Sequence, residues 1–150
     1  MPAVYLLMGS EGAQKRRDTR LIKKIIVHCS DSDLPEHDDV EVIKSWHKKR
    51  GFSDVGYHYY VKKDGTIQEG RYIGLIGAHC VTQNVVSVGV CLGGKYDFPA
   101  AQMKGARIII ENLMMRYKIP KTEIYPHNHF NHHKTCPNFE IARIWDDTIE

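Results

Sequence analysis

Two histidines and one cysteine, far apart in the chain, are the residues whose types best suit metal chemistry. His28 ends the apolar run Lys24-Ile25-Ile26-Val27-His28-Cys29-Ser30. His127 opens a histidine-dense stretch, Pro126-His127-Asn128-His129-Phe130-Asn131-His132-His133-Lys134-Thr135-Cys136-Pro137. Cys136 stands there among polar neighbours. Two imidazoles and a thiolate are a donor set for zinc, and three protein ligands leave the fourth tetrahedral position open, as catalytic sites do and structural sites do not. Two plainer readings stand beside this one. His28 alone reads as a histidine satisfied within a core, and a cysteine among histidines also suits a thiolate nucleophile with an imidazole base. Side chains alternate faces along a strand, so His28 and Cys29 point opposite ways, and if His28 faces the site then Cys29 faces the core.

The elements that must position these groups can be read from periodicity and turn chemistry. Residues 24–29 form an Ile- and Val-rich strand. A helix is expected over 40–49, capped by Asp38 or Asp39, with Val40, Ile43, Trp46 and His47 inward and Arg50-Gly51 at its end. A hairpin follows, in which 56–62 and 66–70 flank an Asp-Gly turn at Asp64-Gly65. A glycine-bounded loop carries His79, and loops of that kind often carry binding groups. A strand is expected over 85–92 and a long helix over 99–117, whose apolar stripe runs Met103, Ala106, Ile109, Ile110, Leu113, Met114 and Tyr117. A short strand at Ile124-Tyr125 leads into the histidine loop. A last helix is expected over 138–148, with Phe139, Ile141, Ile144 and Trp145 inward. Strands and helices mix without regular alternation, which predicts an α/β domain built as one central mixed sheet flanked by helices.

Composition narrows the function classes. The 150 residues suffice for one domain with a real core, and 42% hydrophobic with 26% charged residues fits a globular protein. A net charge of +3 is too mild to argue for nucleic acid and suits a mildly anionic polymer. No apolar run approaches the ~18 residues of a membrane span. The patch Ala3-Val4-Tyr5-Leu6-Leu7-Met8 has no basic residue ahead of it, so it does not read as a secretory signal. Residues 1–22, with the basic run Lys15-Arg16-Arg17, read as a leader or arm ahead of a domain over 23–150. The four cysteines, Cys29, Cys80, Cys91 and Cys136, form no C-x-x-C pair and no disulfide pattern.

Taken jointly, several motifs resemble a known family. They are Val27-His28-Cys29-Ser30, Trp46-His47-Lys48, Asp54-Val55-Gly56-Tyr57-His58, Lys63-Asp64-Gly65-Thr66, Gly70-Arg71, Gly77-Ala78-His79, Ser87-Val88-Gly89-Val90-Cys91-Leu92, His127 and Lys134-Thr135-Cys136-Pro137. The pattern is similar to that of the zinc-dependent N-acetylmuramoyl-L-alanine amidases, the family of amidase-type phage lysozymes and peptidoglycan recognition proteins, and is nearest the phage branch. The resemblance spans about 22–146. It implies one zinc ion held by His28, His127 and Cys136, with Tyr57 and Lys134 as catalytic residues. The chain departs from some members in one respect: nine positions rather than eight separate His127 from Cys136, which makes His129 the rival ligand.

The resemblance also implies the chemistry. Zinc would polarise an amide carbonyl and acidify a bound water. Lys134 offers a compact, movable charge to the developing oxyanion. Tyr57 would orient the water or donate to the oxyanion, and His79 would contact substrate. His58 is expected to be structural, His47 to pack, and His132 and His133 to lie on the surface. The implied substrate is bacterial peptidoglycan, cut between N-acetylmuramic acid and L-alanine by a monomer made in the cytoplasm and acting on the wall after release. Two alternatives belong to other classes: a non-catalytic recognition module, which Cys136, Tyr57 and Lys134 argue against, and a zinc protein that regulates a polymerase or nucleic-acid partner through its basic leader.

Overall fold

Extended segments rich in Ile, Val and Tyr pair into one sheet in the computed structural model, which describes residues 20–148. The strands are β1 (Lys24–Cys29), β2 (Tyr59–Val61), β3 (Ile67–Glu69), β4 (Ser87–Leu92) and β5 (Ile124–Pro126). Their spatial order is β3-β2-β4-β1-β5. β2, β4, β1 and β5 run parallel, and β3 is antiparallel to β2 across the expected Asp-Gly turn. There Gly65 takes a φ of +90°, and Asp64 Oδ1 accepts from the Thr66 N–H.

The two faces of the sheet carry separate apolar clusters. On one face lie Ile25, Val27 and Cys29 of β1, Tyr59 and Val61 of β2, and Val88, Val90 and Leu92 of β4. Helix α2 (Ala100–Tyr117) covers them with Met103, Ala106, Ile109, Ile110 and Leu113. On the other face Tyr60 and Cys91 meet Val40 and Ile43 of α1 (Val40–Lys49). This is the two-residue period of a strand. A parallel sheet covered on both sides reads as continuous apolar runs, which is why β1 and β4 stand out in the sequence. α1 starts where Asp39 accepts from the Glu41 N–H at 2.9 Å.

Three expected elements differ from those observed. The strand expected over 56–62 is the three residues Tyr59–Val61. Asn84–Val86 form a 3₁₀ turn, so β4 begins at Ser87 and not at Val85. The helix expected over 138–148 is a single 3₁₀ stretch, Ile141–Trp145. Asn138 sits in the left-handed region at φ +66° and Glu140 is extended, so no helix can run through them. Phe139 stacks on Phe98 at 4.8 Å, and Arg143 donates to the Phe98 carbonyl. These anchors hold the segment against the start of α2. Ile141 and Ile144, three apart, suit the three-residue period of a 3₁₀ turn.

Most of the arm read at 1–22 lies outside the described residues. Two of its last three residues are docked on the domain: Arg20 donates to the Ile73 carbonyl at 3.0 Å, and Ile22 is buried in the α2-side cluster, while Leu21 between them is exposed. No described helix is long and apolar enough to cross a membrane.

Asp33 ties the loop after β1 to the loop after β4. Its carboxylate accepts from the N–H groups of Lys95, Tyr96 and Asp97 and pairs with Lys63 at 2.9 Å. The Lys95 carbonyl in turn accepts from Asn138 Nδ2, so the tie reaches the segment that carries Cys136. Burial by itself would raise the Asp33 carboxyl, but the backbone donors and Lys63 outweigh it and hold it well below the usual carboxylate range. A carboxyl depressed in the folded state contributes stability that is present above its unfolded value, about 3.9, and is lost as pH falls from there. We predict that Asp33→Ala costs about 1–2 kcal/mol at neutral pH, discounted for its partial exposure, and flattens the acid limb below pH ~4. Urea denaturation across pH measures both, and unchanged midpoints would refute the tie.

Candidate metal centre and cleft

The strand pairing accounts for the juxtaposition of His28 and His127. β1 and β5 run parallel in register, with Val27 opposite Pro126, so the next positions, His28 still within β1 and His127 just past β5, lie side by side at the carboxyl end of the sheet. Their rings lie 4.4 Å apart between centroids. Carboxyl ends of parallel strands are where α/β sheets gather ligands.

The loop from His127 to Cys136 closes on itself. The Asn128 N–H donates to the Cys136 carbonyl at 3.0 Å, the Phe130 and Asn131 N–H groups donate to the His127 carbonyl, and the Lys134 N–H donates to the Asn131 carbonyl. Asn128 Nδ2 also reaches the Thr135 carbonyl. Nine positions of chain therefore begin and end at one place. His28, His127 and Cys136 bring their ligand atoms within 4.8 Å of one another. Tetrahedral zinc with Zn–N and Zn–S bonds of ~2.0–2.3 Å sets its donors about 3.3–3.7 Å apart, so the three need close by only about an ångström. His129 is exposed and packs instead against Tyr125 at 4.8 Å and, edge-on, Phe130 at 4.9 Å.

The electrostatics suit a cation. Burial, then the neighbouring His79, His127 and His47, pushes His28 well below the ordinary histidine value. Burial and then Lys134 lower His127. Both imidazoles are thus neutral near pH 7 and keep a lone pair. Cys136 Sγ accepts from the Cys29 N–H at 2.9 Å. The Cys29 side chain beside it, and then burial, push the Cys136 thiol up. A thiolate at this spot therefore calls for a positive partner, which a divalent metal supplies. Cys29 itself belongs to the α2-side cluster.

His127 and Cys136 open onto a cleft of about 350 Å³, and His28 lies buried beside them. Tyr57 stands on its wall with its ring 4.9 Å from that of His28, and its carbonyl accepts from the Arg71 N–H at 2.8 Å. Arg71 also staples the adjoining loop through the Val55, Asp54 and Ile76 carbonyls. Lys134 is exposed at the rim. His79 lines the cleft but is only 8% exposed. His47 packs as expected, accepting from the Gly56 N–H through Nδ1 at 2.8 Å. His58 is fully buried and bonded to the backbone of Gly89 and Leu75. His132 and His133 are exposed.

The far wall, made of Trp46, Arg50 and Phe52, was not foreseen. In the sequence Trp46 reads as a packing residue and Arg50 as a helix end, and Phe52 is assigned no role. The guanidinium of Arg50 lies 5.3 Å from the centre of the Phe52 ring. An aromatic residue just past a helix-ending glycine is the sequence feature that could have drawn attention to this wall.

A donor trio at the strand ends, a phenol and an ammonium around one cleft are the makings of a metal-dependent hydrolase. The comparisons with known proteins make the assignment specific: the chain belongs to the N-acetylmuramoyl-L-alanine amidase family, whose sequence profile matches residues 17–139. It is 36% identical over 130 residues to the endolysin of Escherichia phage T7, a match covering 81% of this chain and 84% of that one. It is likewise 36% identical over 144 residues to the endolysin of Enterobacteria phage K11, covering 91% of each. Among solved structures, the N-acetylmuramoyl-L-alanine amidase LysC from Clostridium intestinale URNW superposes with a TM-score of 0.74 at 28% identity over 85% of each chain. The expected α/β architecture, a mixed sheet flanked by helices, agrees with that neighbour.

Burial, then the nearby Cys91, pushes the Tyr57 phenol well above 10, so it remains a hydrogen-bond donor throughout the neutral range. We predict that wild type and Tyr57→Phe show the same phenolate absorbance rise between pH ~9 and ~11. One fewer ionising phenol in the variant over that range would contradict the enclosed donor.

Proposed function

We propose that this amidase cleaves the bond between N-acetylmuramic acid and the L-alanine of the stem peptide in bacterial peptidoglycan, in a phage-type lytic role, with zinc held by His28, His127 and Cys136. The observation that carries the proposal is the convergence of two neutral imidazoles and one thiol within 4.8 Å in a chain of this family. When bound, zinc supplies polarisation of an amide carbonyl and a water acidified toward neutral pH.

The remaining work falls to the chain's own residues. Tyr57, kept protonated by its enclosure, donates a hydrogen bond across the cleft to the oxygen on which charge develops. Lys134 swings from the rim to meet the same charge, as a flexible ammonium can. Trp46 and Phe52 offer apolar faces to the sugar ring and peptide, and Arg50 offers its guanidinium to a stem-peptide carboxylate. The protein acts as a monomer and reaches the wall after release from the cytoplasm.

The test is a variant series on purified cell walls, with metal content measured alongside. Tyr57→Phe and Lys134→Ala should keep one zinc per chain and lose on the order of 10²–10³ in rate. Cys136→Ser and His127→Ala should lose most of the metal, whereas His129→Ala should keep it. Full zinc occupancy in Cys136→Ser would sink the ligand assignment. Wild-type rates in Tyr57→Phe or Lys134→Ala would remove that residue from the reaction.

A further inference from the structure

His79 is the residue whose surroundings fit least well with a role in touching substrate. Both of its ring nitrogens are engaged inside the protein. Nδ1 lies 2.9 Å from His28 Nε2, and Nε2 lies 3.3 Å from Ser87 Oγ. Ser87 Oγ is in turn 2.7 Å from the Gln83 carbonyl.

The direction of every hydrogen bond in this chain follows from its last member. A carbonyl only accepts, so the Ser87 hydroxyl must spend its proton on Gln83. Ser87 Oγ can then only accept from His79, which places a proton on His79 Nε2. The neutral ring has one N–H, so His79 Nδ1 is a bare lone pair. It can only accept from His28, which places a proton on His28 Nε2. The nitrogen of His28 left with a lone pair is Nδ1.

The ring that enforces this order is clamped. A side-chain carbon at Gly89 would come within 2.6 Å of His79 Cγ, and one at Gly77 within 2.7 Å of His79 Cδ2. The two glycines thus let the backbone approach the imidazole closely at two positions. The His79 and Cys80 N–H groups both donate to Asn84 Oδ1 at 2.9 Å, which fixes the backbone that carries the ring. The rings of His28 and His79 meet edge-on, at 88° between planes, an arrangement compatible with an in-plane N–H···N bond between the nitrogens 2.9 Å apart.

We propose that His79, with Ser87 and the Gln83 carbonyl behind it, is a positioning residue that fixes the tautomer and orientation of His28, presenting His28 Nδ1 to the metal. This inference rests on the zinc reading above. It replaces the expectation that His79 contacts substrate. A hydrogen bond to the distal nitrogen of a ligating histidine fixes its tautomer and raises its basicity, and losing such a partner typically lowers metal affinity about 10–100-fold.

The experiment measures zinc affinity directly, by competition with a chromophoric chelator, on wild type, His79→Ala, His79→Asn and Ser87→Ala. His79→Ala should bind zinc about 10–100-fold more weakly. His79→Asn, whose amide oxygen can sit where Nδ1 was and accept from His28, should recover most of that loss. Ser87→Ala should weaken binding in the same direction by a smaller factor. Long-range proton–nitrogen NMR of the zinc-free wild type should show His28 as the Nε2–H tautomer, and this readout needs no variant to fold. Unchanged zinc affinity in His79→Ala together with a raised KM on cell walls would overturn the proposal and restore a substrate contact. An Nδ1–H tautomer at His28 would overturn it as well. A wild type that takes up no zinc would overturn the zinc reading itself, an outcome distinct from wild-type binding that the variants leave unchanged.

Discussion

The site depends first on the parallel pairing of β1 with β5. That ladder spans only Ile25–Val27 against Ile124–Pro126, yet it sets His28 and His127 side by side at the carboxyl end of the sheet. Register matters here because a slip of one residue would turn His28 to the α2 side of the sheet, into the apolar cluster. The apolar alternation of β1, with Ile25, Val27 and Cys29 under α2, resists that slip, since it would bury an imidazole where no polar partner waits. The core on one face thereby fixes the chemistry on the other.

A second constraint is electrical. A histidine with 1% exposure would be costly if charged and wasteful if unpaired. His28 meets both demands by staying neutral and bonding to His79. Cys136 is held by the Cys29 N–H, a donor whose partner is best ionised. The same enclosure that keeps His28 and His127 neutral keeps Tyr57 protonated, and it leaves the Cys136 thiol in need of a cation to ionise. One buried, apolar-backed wall thus sets the protonation state of the groups around it, while Lys134 stands at the exposed rim and remains free to move. The closed loop from His127 to Cys136 joins the two environments, carrying one candidate ligand at each end and the lysine between them.

Much of this was legible in the sequence, for identifiable reasons. α1 over 40–49 and the long helix ending at Tyr117 carry strong periodicity and clear stops, and the Asp-Gly turn announces the hairpin. The donor residues His28, His127 and Cys136 are conspicuous by type. Other features depend on contacts that no local pattern encodes. The C-terminal segment has helical-looking apolar spacing, but its conformation is set by Asn138 and by docking on Phe98. Arg50 and Phe52 become a cleft wall only because α1 packs across the sheet opposite the histidine loop. His79 sits in a glycine-bounded loop of the kind that often reaches solvent, yet the glycines at 77 and 89 instead admit its ring into the interior, where its partners come from β1 and β4.

The central claim is that a zinc-loaded site cuts one amide in peptidoglycan. Mass spectrometry of purified cell walls digested by the wild-type protein, with and without a chelator, tests it most directly. The account predicts intact glycan strands, free stem peptides with new L-alanine amino termini, and loss of both products under chelation with recovery on adding zinc. New reducing sugar ends appearing in step with solubilisation, or release of free stem peptides undiminished by the chelator, would contradict it.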